Sequence, residues 1–153
     1  GAMASPFDAL NALRGVRTMA VRTAHQCASA QRLAEWLNDH PAVATVHYPG
    51  LPSHPQHDLA KRQMHHFGTV LAFELAGGRD AAALLLDRIE LLRCATSLGG
   101  PETLICHPMT TTHASLTPEE QAATGVSAGL MRVSVGLEDS DDLVADLARA
   151  FDD

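Results

Sequence analysis

The residues best suited to chemistry lie in Gly129-Leu130-Met131-Arg132-Val133-Ser134-Val135-Gly136-Leu137-Glu138-Asp139. Between its two glycines the pattern alternates. Met131, Val133 and Val135 fall on one face of an extended strand, and Arg132 and Ser134 on the other. A planar, always-charged guanidinium is thereby held on a stiff backbone beside a small hydroxyl. Such a group grips a carboxylate through two parallel hydrogen bonds. Taken alone, the segment also fits an ordinary exposed strand arginine. A second polar stretch is Thr96-Ser97-Leu98-Gly99-Gly100. Its glycines let the backbone approach a ligand closely, and the Ser97 hydroxyl can donate to an anion. It matches neither the Walker pattern nor the dinucleotide fingerprint, and a strand-ending turn would use the same residues.

Cys106-His107-Pro108-Met109-Thr110-Thr111-Thr112-His113 has the makings of a polar pocket wall. Zinc is the sharper alternative, with His54, His57, His65 or His66 as further ligands, but no pair has the short spacing of a strong zinc motif. Nothing in the sequence activates Cys106 as a nucleophile, and a buried inert thiol is the commoner use. Tyr48-Pro49-Gly50-Leu51-Pro52-Ser53-His54-Pro55-Gln56-His57 reads as a rigid surface loop.

The elements that must position these stretches fit in one domain. The chain has 153 residues, 46% of them hydrophobic and 19% charged, which is enough for a real core. A net charge of -7 gives no support to nucleic-acid binding or to an anionic membrane surface. The apolar run of residues 81–86 is far too short to span a bilayer. No signal peptide is visible, and Cys27, Cys94 and Cys106 form no CxxC pair, which reads as reduced thiols in a cytoplasmic protein. Gly1-Ala2-Met3 resembles a tag-cleavage scar, so residues 1–4 are expected to be a remnant and disordered start.

Ser5-Pro6-Phe7-Asp8 opens a helix by its cap, its first-turn proline and its acid at the positive helix end. Leu10, Leu13, Arg17, Ala20, Ala24, Cys27, Gln31, Ala34 and Leu37 then recur every three or four residues as the inward stripe. The pattern runs to Asn38, and Gly15 allows either one kinked helix or two. Strands are expected over residues 43–48, 69–75, 91–96 and 103–106, and in the opening segment. Helices are expected over 56–64, 79–89, 117–125 and from 139 onward, the last with Leu143, Val144, Leu147 and Phe151 buried. This order predicts an α/β (α+β) sandwich: a small, mostly antiparallel sheet with helices on one face, preceded by a long N-terminal helix.

Several of these segments, in this order, resemble one family. They are Ser5-Pro6-Phe7-Asp8 with Leu13-Arg14-Gly15-Val16-Arg17-Thr18-Met19, Tyr48-Pro49-Gly50-Leu51 with Ser53-His54-Pro55-Gln56-His57, and Ala60-Lys61-Arg62-Gln63-Met64. The others are Ser97-Leu98-Gly99-Gly100, His107-Pro108 with Thr112-His113, and Arg132-Val133-Ser134-Val135-Gly136-Leu137-Glu138-Asp139. The chain is similar to the C-terminal part of the Cys/Met-metabolism group of pyridoxal-phosphate enzymes. That group includes cystathionine γ-synthase, cystathionine γ- and β-lyases, methionine γ-lyase and O-acyl-homoserine sulfhydrylases.

The resemblance implies that residues 5–153 are a substrate domain, with pyridoxal phosphate carried by a large N-terminal domain that is absent here. The family's Schiff-base lysine precedes the stretch resembling Ser5-Pro6-Phe7-Asp8. Lys61, the only lysine, belongs to a different motif. The aspartate that pairs with the pyridine nitrogen and the tyrosine that stacks on the ring are missing too. The chain alone is therefore expected to be inactive and to bind no cofactor. By the same resemblance Arg132 matches the arginine that grips the substrate α-carboxylate. Ser97 and Leu98 match the loop lining that site, and Thr112 matches a nearby threonine. Thr96 stands where many relatives carry an acid, which leaves lyase, synthase and sulfhydrylase chemistry open. The expected partners are a sulfur amino acid or homoserine ester, the large domain, and further copies in a tetrameric parent. The fragment itself is expected to self-associate or to form a domain-swapped dimer through the long N-terminal helix. The competing reading is a stand-alone, non-catalytic binding module derived from this domain.

Overall fold

The computed structural model describes residues 3–152, so Gly1 and Ala2 of the expected remnant lie outside the described residues. The N-terminal stripe forms two helices, α1 (Pro6–Val16) and α2 (Met19–Asn38). A capping box starts α1: the Ser5 hydroxyl accepts from the Asp8 amide at 3.2 Å, and the Asp8 carboxylate accepts from the Ser5 amide at 3.1 Å. The break falls just past Gly15, whose carbonyl accepts from the Arg22 guanidinium at 3.0 Å.

The stripe divides there in burial as well. Cys27, Ala34 and Leu37 are buried, whereas Leu10 and Leu13 are 50% and 56% exposed and α1 buries no residue at all. Arg17, Ala20 and Ala24 are also exposed and Gln31 is half-buried. The amphipathic pattern of α1 is genuine, but among the described residues nothing buries its apolar face.

After α2 come β1 (Val43–His47), α3 (His57–Gln63), β2 (Val70–Leu75), α4 (Gly78–Arg88), β3 (Arg93–Cys94), β4 (Leu104–Cys106), α5 (Pro118–Ala123), β5 (Leu130–Ser134) and α6 (Ser140–Asp152). The five strands form one sheet in the order β1-β2-β5-β4-β3, antiparallel except for the β3–β4 pair. The mostly antiparallel sheet under helices is the architecture the element order predicts.

Alternation sets what each face does. Leu71 lies opposite Val133, Phe73 opposite Met131, and Ile105 opposite Val133. All five point to the buried face, where they join Leu33 and Leu37 of α2, Leu85 of α4, and Leu143 and Leu147 of α6. Val144 and Phe151 pack on this core half-buried. Burying one such aliphatic side chain contributes about 1.5–3 kcal/mol. The exposed Arg32–Asp141 pair between α2 and α6 adds on the order of 1 kcal/mol at most, so apolar packing fixes that helix pair.

Two expectations need correction. The strand foreseen over residues 91–96 shrinks to Arg93–Cys94, because the amides of Glu90, Leu91 and Leu92 all donate to the Asp146 carboxylate rather than to a neighbouring strand. The loop over residues 48–57 is not wholly on the surface: Tyr48 and Leu51 are buried. The Tyr48 hydroxyl donates to the Gly68 carbonyl at 2.9 Å, and burial pushes its phenol well above the ordinary range.

Candidate functional site

Strand β5 lies in the middle of the sheet, with Arg132 opposite Ala72 of β2 on one side and Cys106 of β4 on the other. Met131 and Val133 point into the core, so strand geometry turns Arg132 to the opposite face of the sheet. Its Nη2 donates to the carbonyls of Thr96, at 2.5 Å, and of Ser97, at 3.2 Å. Its Nε is buried and has no hydrogen-bond partner among the described residues. An Nε–H left unpaired in this way costs roughly 1–3 kcal/mol, more on a charged group. Nε lies on the guanidinium edge that can meet a carboxylate in a bidentate pair, and here the other donor of that edge, Nη2, is held by the Thr96 and Ser97 carbonyls.

The loop that carries Ser97 is tied down at most of its residues. The Gly99 amide donates to the Ser134 hydroxyl at 3.0 Å. The Gln26 amide of α2 donates to the carbonyls of Gly100 at 2.8 Å and Val135 at 3.0 Å. The Leu137 amide donates to the Pro101 carbonyl at 2.7 Å. At the loop's end the Glu138 carboxylate accepts from the Thr103 amide at 2.8 Å and the Thr103 hydroxyl at 2.6 Å, and that hydroxyl accepts from the Gly136 amide at 2.8 Å. Gly99 has φ +78°, a conformation that favours glycine. The Ser97 side chain is exposed and makes no hydrogen bond among the described residues, and Leu98 is 57% exposed at the loop tip.

Arg132 and the Ser97 loop are thus brought together, but Thr112 is not joined to them. Its hydroxyl pairs with the His113 ring at 2.8 Å, and among the described residues no hydrogen bond links it to Arg132 or to the loop. The segment after Cys106 is a self-bonded turn rather than an open polar wall. His107 is buried, with Nε2 donating to the Ala128 carbonyl at 3.0 Å and Nδ1 3.0 Å from the Thr110 hydroxyl. We assign the proton to Nε2 because a carbonyl can only accept. Among the described residues no three His, Cys, Asp or Glu side chains converge as a metal cage requires. Cys27 and Cys106 are buried, and burial pushes the Cys27 thiol up, the opposite of activation.

A family model described as "Cys/Met metabolism PLP-dependent enzyme" matches residues 1–152. The chain belongs to this family. The Cys/Met-metabolism chain is 49% identical over 152 residues to the L-methionine gamma-lyase of Porphyromonas gingivalis, covering 99% of this chain and 38% of that protein. It is 49% identical over 151 residues to the O-succinylhomoserine sulfhydrylase of Pseudomonas aeruginosa, with coverage of 99% and 38%. Among solved structures it superposes on cystathionine gamma synthase from Xanthomonas oryzae pv. oryzae, in complex with aminoacrylate and cysteine, with a TM-score of 0.92 and 44% identity. That match covers 98% of this chain and 39% of the other. The chain therefore spans about 38% of the length of the curated relatives it matches.

Pyridoxal phosphate is the family's cofactor. Its aldehyde needs an amine close to the bound substrate. Lys61, the only lysine, is exposed in the last turn of α3 and shares no hydrogen bond or ion pair with the Arg132 site. Among the described residues no helix is long and apolar enough to cross a membrane.

In the sequence Ser134 is only a small hydroxyl beside the arginine, and Gln26 and the Thr103–Glu138 pair emerge as loop tethers only in the fold. No local signal pointed to Gln26, because the inward stripe of α2 passes through its neighbour Cys27 and carries Gln31 as its glutamine.

Proposed function

We propose that residues 5–153 form the substrate domain of a pyridoxal-phosphate-dependent enzyme of sulfur amino-acid metabolism, and that Arg132 holds the substrate α-carboxylate. One observation carries the reading: a buried, unpaired Arg132 Nε–H on a guanidinium whose Nη2 donates to the backbone of the exposed Ser97. Leu98 and Thr112 complete the lining by family resemblance, with Thr112 reaching the ligand only if the 111–113 turn shifts. The substrate is a sulfur amino acid or a homoserine ester. Support comes from relatives named as a methionine lyase and a succinylhomoserine sulfhydrylase, each 49% identical.

The cofactor amine belongs to polypeptide outside this sequence, so the 153-residue chain is inactive by itself and holds no cofactor. Apolar side chains along α1 and the start of α2 suit a surface that is covered in an assembly: Phe7 is 78% exposed and Val16 60%. We infer that this arm packs on the large N-terminal domain in a tetrameric cytoplasmic parent, and that it draws isolated chains together. The stand-alone module reading has no observation in its favour.

Nuclear magnetic resonance of the labelled chain tests the carboxylate site. L-methionine shifts the Arg132 Nε–H resonance, while L-methioninol, which lacks the carboxylate, does not. Equal responses to both compounds, or no response to either, refute the assignment.

A further inference from the structure

We propose that Ser134 and Gln26 are positioning residues for the carboxylate site, a two-point clamp that fixes the 97–100 loop and through it the aim of the Arg132 guanidinium. The proposal rests on the carboxylate reading above and adds what holds the site in shape. Two buried side chains from different elements reach adjacent residues of one exposed loop: Ser134 is 1% exposed and Gln26 5%. Ser134 accepts the Gly99 amide at 3.0 Å, and Gln26 donates to the Gly100 carbonyl at 2.8 Å. The loop returns the contact at its other end, where the Thr96 and Ser97 carbonyls accept from Arg132 Nη2.

The logic is mechanical. A guanidinium is a rigid plane, so fixing what Nη2 touches fixes where Nε–H points. The loop contains two successive glycines, which leave it free to wander unless it is tethered. A loop that must be ordered when ligand arrives lowers affinity, and one already ordered does not. The Gln26 amide also donates to the Val135 carbonyl at 3.0 Å, so one side chain ties both the loop and the end of β5 to α2. The contacts of both side chains are to backbone, Ser134 to the Gly99 amide and Gln26 to the Gly100 and Val135 carbonyls. Both act through the backbone of residues 96–100.

The test uses the 153-residue chain with L-methionine as the probe, and the separate variants Ser134→Ala and Gln26→Leu, each removing one tether. Expected are Gly99 amide exchange at least tenfold faster in Ser134→Ala, and L-methionine affinity about tenfold weaker in each variant. The thermal midpoint shifts by only a few degrees. Ser134→Thr, which keeps the hydroxyl, restores both the slow exchange and the affinity. A purely structural role predicts the reverse, a lowered midpoint with unchanged affinity in the folded fraction. Folded variants that bind L-methionine as tightly as the unaltered chain overturn the clamp while leaving the carboxylate site standing. An unaltered chain whose Arg132 resonance ignores L-methionine overturns the carboxylate reading, and the clamp with it. If either variant does not fold, the other decides alone, because the tethers reach the loop from separate elements.

Discussion

Replacing Asp146 by asparagine perturbs one buried carboxylate that gathers three backbone amides and a guanidinium. Asp146 is 7% exposed on α6. It accepts from the amides of Glu90 at 3.0 Å, Leu91 at 2.9 Å and Leu92 at 3.1 Å, and from Arg149 Nη2 at 2.6 Å. Hydrogen bonds to a charged group contribute about 1.5–3 kcal/mol each, and a buried donor left without a partner costs about 1–3 kcal/mol. Asparagine keeps one acceptor oxygen but turns an NH2 group toward donors. At least one backbone amide then loses its acceptor, or Arg149 loses one of its contacts. The expected loss is about 3 kcal/mol, and at roughly 3 °C per kcal/mol for a chain of this size the thermal midpoint falls by about 9 °C.

The pH dependence separates lost charge from lost shape. Burial alone would raise the Asp146 carboxyl, but the three amides and Arg149 outweigh it and hold it below the usual carboxylate range. A depressed folded value means the stabilisation is fully present above the unfolded value of about 3.9 and drains away as pH falls through the folded one. The gap between the natural chain and Asp146→Asn is therefore widest near neutrality and closes in acid. Urea unfolding followed by the single tryptophan measures it: Trp36 lies 6.0 Å from the Phe151 ring at the end of α6. A gap absent at neutral pH, or one that stays constant from neutral into acid, would refute this account.

Four other outcomes follow from the same contacts. Thr103→Val removes the hydroxyl between Glu138 and the Gly136 amide, leaves that amide unpaired and buried, and lowers stability by about 2–3 kcal/mol in urea unfolding. Arg132→Lys, placed in a full-length enzyme with its cofactor domain, raises KM about thirtyfold or more, because a point charge cannot make the bidentate pair worth about 2–4 kcal/mol; an unchanged KM counts against the site. Leu10→Ser with Leu13→Ser shifts light scattering of the chain from assembled toward monomeric mass, since both side chains are half exposed on the unpartnered face of α1. Pyridoxal phosphate added to the chain gives no specific protein-bound Schiff-base absorbance beyond what Lys61→Arg also shows, and a stable site-specific band would overturn the reading of an inactive chain.

Local pattern carried part of this structure and long-range chemistry the rest. Both capping boxes, at Ser5 and Thr117, form where the residue types suggest. The alternation of Met131, Val133 and Val135 against Arg132 was legible because period two needs no knowledge of the partner strands. What a partner decides was hidden. The stripe of α1 announces an apolar face but not what covers it. The strand expected over residues 91–96 looked extended, yet Asp146, more than fifty residues away, claims its first amides. The juxtaposition of Arg132 with the Ser97 carbonyl follows from the β5–β4 and β4–β3 pairings, which no local pattern announces. Thr112 shows the converse: its hydroxyl pairs with the ring of His113, the next residue, a contact that a motif match does not announce.

The end glycines of β5 explain why core and site are specified together. Neither Gly129 nor Gly136 has a positive φ, so neither is there to make a left-handed turn. They are there for space. A Cβ on Gly129 would sit 2.5 Å from the Leu75 carbonyl oxygen, and one on Gly136 would sit 2.4 Å from the Pro101 carbonyl oxygen. The strand is thus gripped at one end by β2 and at the other by the segment that closes the Ser97 loop. Sliding it by one residue would drive those contacts into side chains and turn Arg132 into the core. Burying that charge unpaired costs several kcal/mol, and Met131 and Val133 would lose their burial at the same time. The register that packs the core is therefore also the register that presents the guanidinium to the loop. A substitution that loosens either glycine contact should weaken stability and ligand affinity together, whereas loss of the Ser134 or Gln26 tether should weaken affinity far more than stability.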